Sequence, residues 1–168
     1  MRQSITLCSL FLLAVISVQG QSAKVPTFGQ YPAKVEKAVA RAIDFKNSPG
    51  AWGFRTRLTD ALRRGVNFGG HYILTGWGCG TGCVSGGIID ARTGRVYFPE
   101  QMHSIAVGDD ETGTYVESPI EYRKNSRLVI VHGIPGTQIE GSEDLPTGDY
   151  FYEWRNNRLR LVKSVLKK

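Results

Sequence analysis

Thiols, imidazoles and thioethers are scarce in this 168-residue chain, which has three cysteines, three histidines and two methionines. Motifs with fixed chemistry are scarcer still. The glycine-rich segment contains neither G-x-G-x-x-G nor G-x-x-x-x-G-K, which leaves out a dinucleotide fingerprint and a phosphate loop. Gly82-Cys83-Val84-Ser85-Gly86 misses the strand-turn-helix serine motif by one position, so Ser85 is not read as a nucleophile. The acidic stretches Asp109-Asp110-Glu111 and Glu140 to Asp149, with Glu143 and Asp144 between, lack the alternation and closing glutamate of a calcium loop and read as solvated loops. No pair among them is marked out for glycoside cleavage. Hydrophobic residues at 41%, charged residues at 21% and no internal repeat describe a folded domain, and exclude collagen, coiled coil and a low-complexity tail. Glycine is the exception: 20 residues, about 12% against a usual ~7%, point to turns and tight backbone.

Long apolar runs are confined to the start of the chain. Arg2 precedes the 14-residue stretch Ile5–Val18, and Val18-Gln19-Gly20 ends it with a small residue. That length suits the apolar core of a secretory signal and is short of the ~20 residues of a spanning helix. Residues 1–20 are therefore expected to be a signal peptide and 21–168 a single mature domain, periplasmic or secreted. Cys8 lies inside the apolar run after Leu7, so no lipid or membrane anchor is expected. Cleavage after Gly20 leaves 148 residues and a formal charge of +5. Because the basic residues are scattered and interrupted by acids, that charge fits solubility rather than a dedicated anionic partner.

The mature chain reads as α+β, with one helix ahead of a largely antiparallel sheet. Gln21–Pro32 is an irregular lead. Between Ala33 and Phe45 the apolar residues fit a helix or a strand equally. After the breakers Asn47-Ser48-Pro49-Gly50, the residues Phe54, Leu58, Ala61 and Leu62 fall on one helical face, with Arg63 and Arg64 in the last turn and Gly65 placed to end it in a left-handed conformation. Strands follow. His71–Trp77 is β-rich, and Ser85–Asp90 returns through Ala91-Arg92-Thr93-Gly94 to Arg95–Phe98 as a hairpin. Ser126–His132 has the continuous apolar character of a strand buried on both faces. Asp149–Trp154 and Arg158–Val165, joined by Arg155-Asn156-Asn157, form a terminal hairpin in which Arg158 and Arg160 take one face and Leu159 and Leu161 the other.

Composition departs furthest from the ordinary between Gly69 and Cys83. Gly76, Gly78, Gly80 and Gly82 alternate with Trp77, Cys79, Thr81 and Cys83. On a straight strand the two cysteines would stand roughly 13 Å apart at ~3.3 Å per residue, too far to bond. A turn through Gly80 and Gly82 would bring them together, and Cys79 and Cys83 are the two cysteines left after signal cleavage in an oxidising compartment. A Cys79–Cys83 disulfide is the expectation, with a free reactive thiol and a metal site as the alternatives. The runs Asn67-Phe68-Gly69-Gly70-His71-Tyr72, Trp77–Cys83 and Ile88–Tyr97 together resemble a family of small exported bacterial proteins of unknown function. The resemblance implies no activity.

A metal would draw the two thiolates together with two of His71, His103 and His132. These histidines have no ligand spacing, and Met102-His103 adds little toward copper, so neither metal nor cofactor is expected. A thiol-dependent enzyme would activate Cys79 or Cys83 with His71, eight residues before Cys79. The preferred reading is a non-enzymatic binding or interaction module whose closed turn presents Trp77 and Thr81, with His71 nearby, to an envelope or extracellular protein or a small ligand. Tyr150, Phe151, Tyr152 and Trp154 beside Arg155, Arg158 and Arg160 could stack on a nucleic acid or an anionic glycan. Aromatics at period two are more often sheet packing, and no nucleic acid is expected.

Overall fold

The computed structural model describes residues 24–107, 118–136 and 145–167. Residues 1–20, read above as a signal peptide, and the acidic residues Asp109, Asp110, Glu111, Glu140, Glu143 and Asp144 lie outside them. Within them the chain is a single α+β domain with one helix, α1 (Arg55–Arg64), and two four-stranded antiparallel sheets where one was expected. The first sheet joins β1 (Tyr72–Gly80) to β2 (Cys83–Asp90), whose other edge carries β3 (Val96–Tyr97) and β4 (Ile105–Ala106). The second runs β5 (Ile120–Tyr122), β6 (Leu128–Gly133), β7 (Gly148–Arg155) and β8 (Arg158–Leu166).

Strand alternation builds the layers. On β1 and β2, Ile73 and Ile89 face α1 and pack with Leu58, Ala61 and Leu62. Their neighbours Leu74 and Ile88 face the second sheet and meet Val129, Val131, Tyr152 and Trp154. The first sheet is thus covered on both faces. The outer face of the second is capped at one end by Phe28 and Tyr31, over Leu128, Ile130 and Phe151. These two caps come from the lead, which Ser126 holds by sharing its one hydroxyl proton between the carbonyls of Phe28 (2.8 Å) and Tyr31 (3.0 Å). Among the described residues, no helix is long and apolar enough to cross a membrane.

α1 has the expected buried face, and Gly65 ends it at φ 86° but with an extended ψ of −175°, so the stop is not the left-handed helical conformation anticipated. The Asp90–Arg95 turn closes as read: Gly94 sits at φ 79° with its N–H on the Asp90 carbonyl, and a Cβ there would collide with the Ala42 carbonyl. β6 is central and buried on both faces. In the terminal hairpin Asn156 and Asn157, at φ 53° and 57°, make the tight turn. Tyr150, Tyr152 and Trp154 all point into the core, as period two requires.

Two details differ from the sequence reading. Residues 33–42 are neither helix nor strand but an irregular strap, tied by main-chain bonds from Glu36 to Gly70 and from Val39 and Ala40 to the Ala91 carbonyl. Its partners are remote in sequence, so local periodicity carried no information about it. Leu161 does not share the burial of Leu159: it is 57% exposed, because β8 is an edge strand and its register slips opposite Phe151 and Tyr152.

Candidate functional site

The expected turn lies at the end of the β1–β2 hairpin. The pairing shifts between Gly78 and Gly80, leaving Cys79 as the extra residue of a bulge, and the chain reverses through Thr81 and Gly82, the latter at φ 64°. This brings the Cys79 and Cys83 α-carbons to 5.2 Å and closes the disulfide. β4 braces the turn from the side. Ala106 and Ile105 pair with Cys83 and Val84, Val107 donates its N–H to the Gly82 carbonyl at 2.7 Å, and the Cys83 sulfur lies 3.2 Å from the Ser104 hydroxyl. Thr81 is exposed at the tip.

Trp77 is placed differently from expectation. Its ring is turned inward, 8% exposed, against Phe54 at 4.5 Å and Phe98 at 6.4 Å between centroids. The turn therefore presents Thr81 and Cys79, not the indole. Alternation explains this: Trp77 shares a face with Ile73, which packs against α1. A shallow groove of ≈ 270 Å³ does run past Trp77, but Leu74, Val84, Ile120 and Tyr122 line it from the opposite face, between the sheets.

His71 stands at the other end of β1, about 26 Å from Cys79 along an extended chain at ~3.3 Å per residue. It is half-buried and stacks on Tyr72 at 4.1 Å. Burial, and then the nearby Arg92 guanidinium, lower its pKa from the usual imidazole value against the opposing charges of Asp90 and Glu36. The structure thus separates His71 from both sulfurs. His132 is engaged elsewhere, on the outer face of the second sheet, with Asp149 at 2.7 Å and Glu121 at 3.1 Å. Among the described residues no three His, Cys, Asp or Glu side chains converge as metal ligands.

Sequence reasoning missed a cleft of ≈ 610 Å³ where the two hairpins meet at the side of the first sheet, within the range of small-ligand sites. One wall is Arg95 to Gln101, following the β2–β3 turn. The other is Asn157, Arg158 and Leu159, following the β7–β8 turn. Arg95 anchors its guanidinium by donating Nε–H to the Asn47 carbonyl (3.2 Å) and lies over Tyr97 at 6.0 Å. Tyr97 is in turn fixed edge-on to buried Trp154 at 5.8 Å, and burial keeps its phenol neutral by raising its pKa. Arg158 opposes Arg155 across the hairpin, which concentrates positive charge at this turn, and Asn157 accepts a hydrogen bond from the Tyr72 hydroxyl at 3.3 Å. Glu100 is the one acid of the lining. The sequence did carry a signal for this cleft: an arginine directly follows each hairpin turn, in Gly94-Arg95 and Asn157-Arg158. Comparisons with protein-family models, curated proteins and solved structures find no match to this chain.

Proposed function

We propose that the protein is an exported, non-enzymatic binding module that takes an acidic oligosaccharide in the cleft between its two hairpin turns. The disulfide-closed turn of β1 and β2 is a rigid feature of the same scaffold, with Thr81 available to an envelope or extracellular partner. The observation that carries the reading is that two exposed arginines, Arg95 and Arg158, line one cleft from its two walls, with half-buried Tyr97 between Arg95 and buried Trp154. Guanidinium groups match carboxylates in a planar, two-point geometry. Asn47, Gln101 and Asn157 add amides suited to hydroxyl groups.

A thiol-dependent enzyme built on His71 has less support, because the sulfurs are bonded to each other and the imidazole is distant from both. Calorimetric titration with trigalacturonic acid, using the neutral trisaccharide maltotriose as control, tests the binding reading. Replacing Arg95 and Arg158 together by alanine should weaken binding of the acid by about tenfold or more, since hydrogen bonds to charged groups are worth ~1.5–3 kcal/mol before solvent screening. Equal affinity for the neutral sugar, or no loss in the double variant, would overturn it.

A further inference from the structure

We infer that the Cys79–Cys83 disulfide is a thiol-exchange site, in which Cys79 is the sulfur attacked and Cys83 the sulfur released onto the Ser104 hydroxyl. The inference is independent of ligand binding in the cleft. Its first support is an asymmetry of access. Cys79 is exposed and is flanked by Gly78 and Gly80, and the space a side chain would fill at Gly80 is open, whereas Cys83 is half-buried. An incoming thiol therefore meets little bulk on the Cys79 side.

The second support is the environment of the other sulfur. A disulfide sulfur carries no proton, so in the 3.2 Å contact between Cys83 Sγ and Ser104 Oγ only the serine hydroxyl can donate. Sulfur in a disulfide is a weak acceptor, but a thiolate in the same place receives a charge-assisted hydrogen bond of much greater strength. Ser104 itself is buried, 4% exposed. Its oxygen thus lies within hydrogen-bond reach of the sulfur on which negative charge appears when the bond opens. A leaving thiolate of lower pKa leaves faster. The third support is mechanical: Cys83 is held by pairing to Gly80 and to Ala106, while Cys79 is the unpaired residue of the bulge. The sulfur that stays fixed is the one beside the donor.

The step balances with an external dithiol as reductant. Its thiolate forms a bond to Cys79 Sγ, the Cys79–Cys83 bond breaks, and the electron pair passes to Cys83 Sγ. The donor's second thiol then attacks the mixed disulfide and releases Cys79. In sum the donor loses two electrons and two protons as it becomes a disulfide, and the two cysteines gain them.

The experiment treats the purified oxidised protein with substoichiometric glutathione, quenches with N-ethylmaleimide and maps the adducts by mass spectrometry. Glutathione should be found on Cys79 and maleimide on Cys83. Ser104→Ala should slow the attack by about three- to tenfold, and Ser104→Thr, which keeps the hydroxyl, should restore most of the rate. Glutathione on Cys83, an even distribution, or reaction only after denaturation would overturn the inference. So would a folded Ser104→Ala protein that reacts at the unaltered rate. If that variant does not fold, the adduct map of the unsubstituted protein and the rate of Ser104→Thr decide the matter.

Discussion

Replacing Trp77 by alanine separates a packed indole from a presented one. In the structure the ring lies between Phe54, which enters α1, and Phe98, which follows β3, so it ties the helix layer to the first sheet. With 8% of the residue exposed, nearly all of the indole is removed from water. Truncating so large a buried ring costs about 3–5 kcal/mol, from lost transfer free energy plus the cavity left behind. At ~2–4 °C per kcal/mol for a chain of this size, Tm should fall by about 6–20 °C. Trp77→Phe keeps one ring against Phe54 and should lose only about 1–2 kcal/mol. Thermal and urea unfolding followed by circular dichroism measure both. A loss below about 1 kcal/mol in Trp77→Ala would mean that the ring is solvent-facing, and the layer packing described above would be wrong.

Three further outcomes follow from the same structure. Reducing and alkylating Cys79 and Cys83, or replacing both by serine, should cost about 2 kcal/mol, since so small a loop removes little chain entropy from the unfolded state; a loss above 5 kcal/mol in urea titrations would assign the bridge a larger structural role. The His71 pKa is lower in the folded protein than in the unfolded chain, so the unfolded state takes up its proton first and stability should be lost as pH falls below the ordinary imidazole value of about 6.5. His71→Gln should flatten that part of the stability profile, and an NMR titration midpoint for His71 above 6.5 would refute the burial argument. Intact mass of the protein recovered from the periplasm or the medium should correspond to a chain beginning at Gln21, and a retained Met1 or an attached lipid would contradict export by signal cleavage.

The elements legible in the sequence are those whose determinants are local. α1 followed from Leu58, Ala61 and Leu62 at helical spacing, β6 from its unbroken apolar run, and both hairpins from turn residues with left-handed backbone at Gly94, Asn156 and Asn157. The disulfide was legible because two cysteines remained for an oxidising compartment and the glycines between them allowed the chain to reverse. What failed to show was non-local. The strap over residues 33–42 depends on main-chain partners at Gly70 and Ala91. Trp77 was misplaced because its glycine neighbours suggested a loop, although its even spacing from Ile73 already put the two on one strand face. Ser104 reaches Cys83 only because β4 folds back on β2, and the cleft exists only because two hairpins more than sixty residues apart in sequence meet there.

Titration of the ¹⁵N-labelled protein with trigalacturonic acid, followed residue by residue in amide correlation spectra, tests the binding reading most directly. Saturable shifts should map to Arg95, Tyr97, Asn157 and Arg158 and should weaken as salt is raised, because exposed guanidinium groups are screened at about 10 Å in 0.1 M salt. Shifts confined to the turn at Cys79–Cys83, or none at millimolar sugar, would contradict a ligand site between the hairpins.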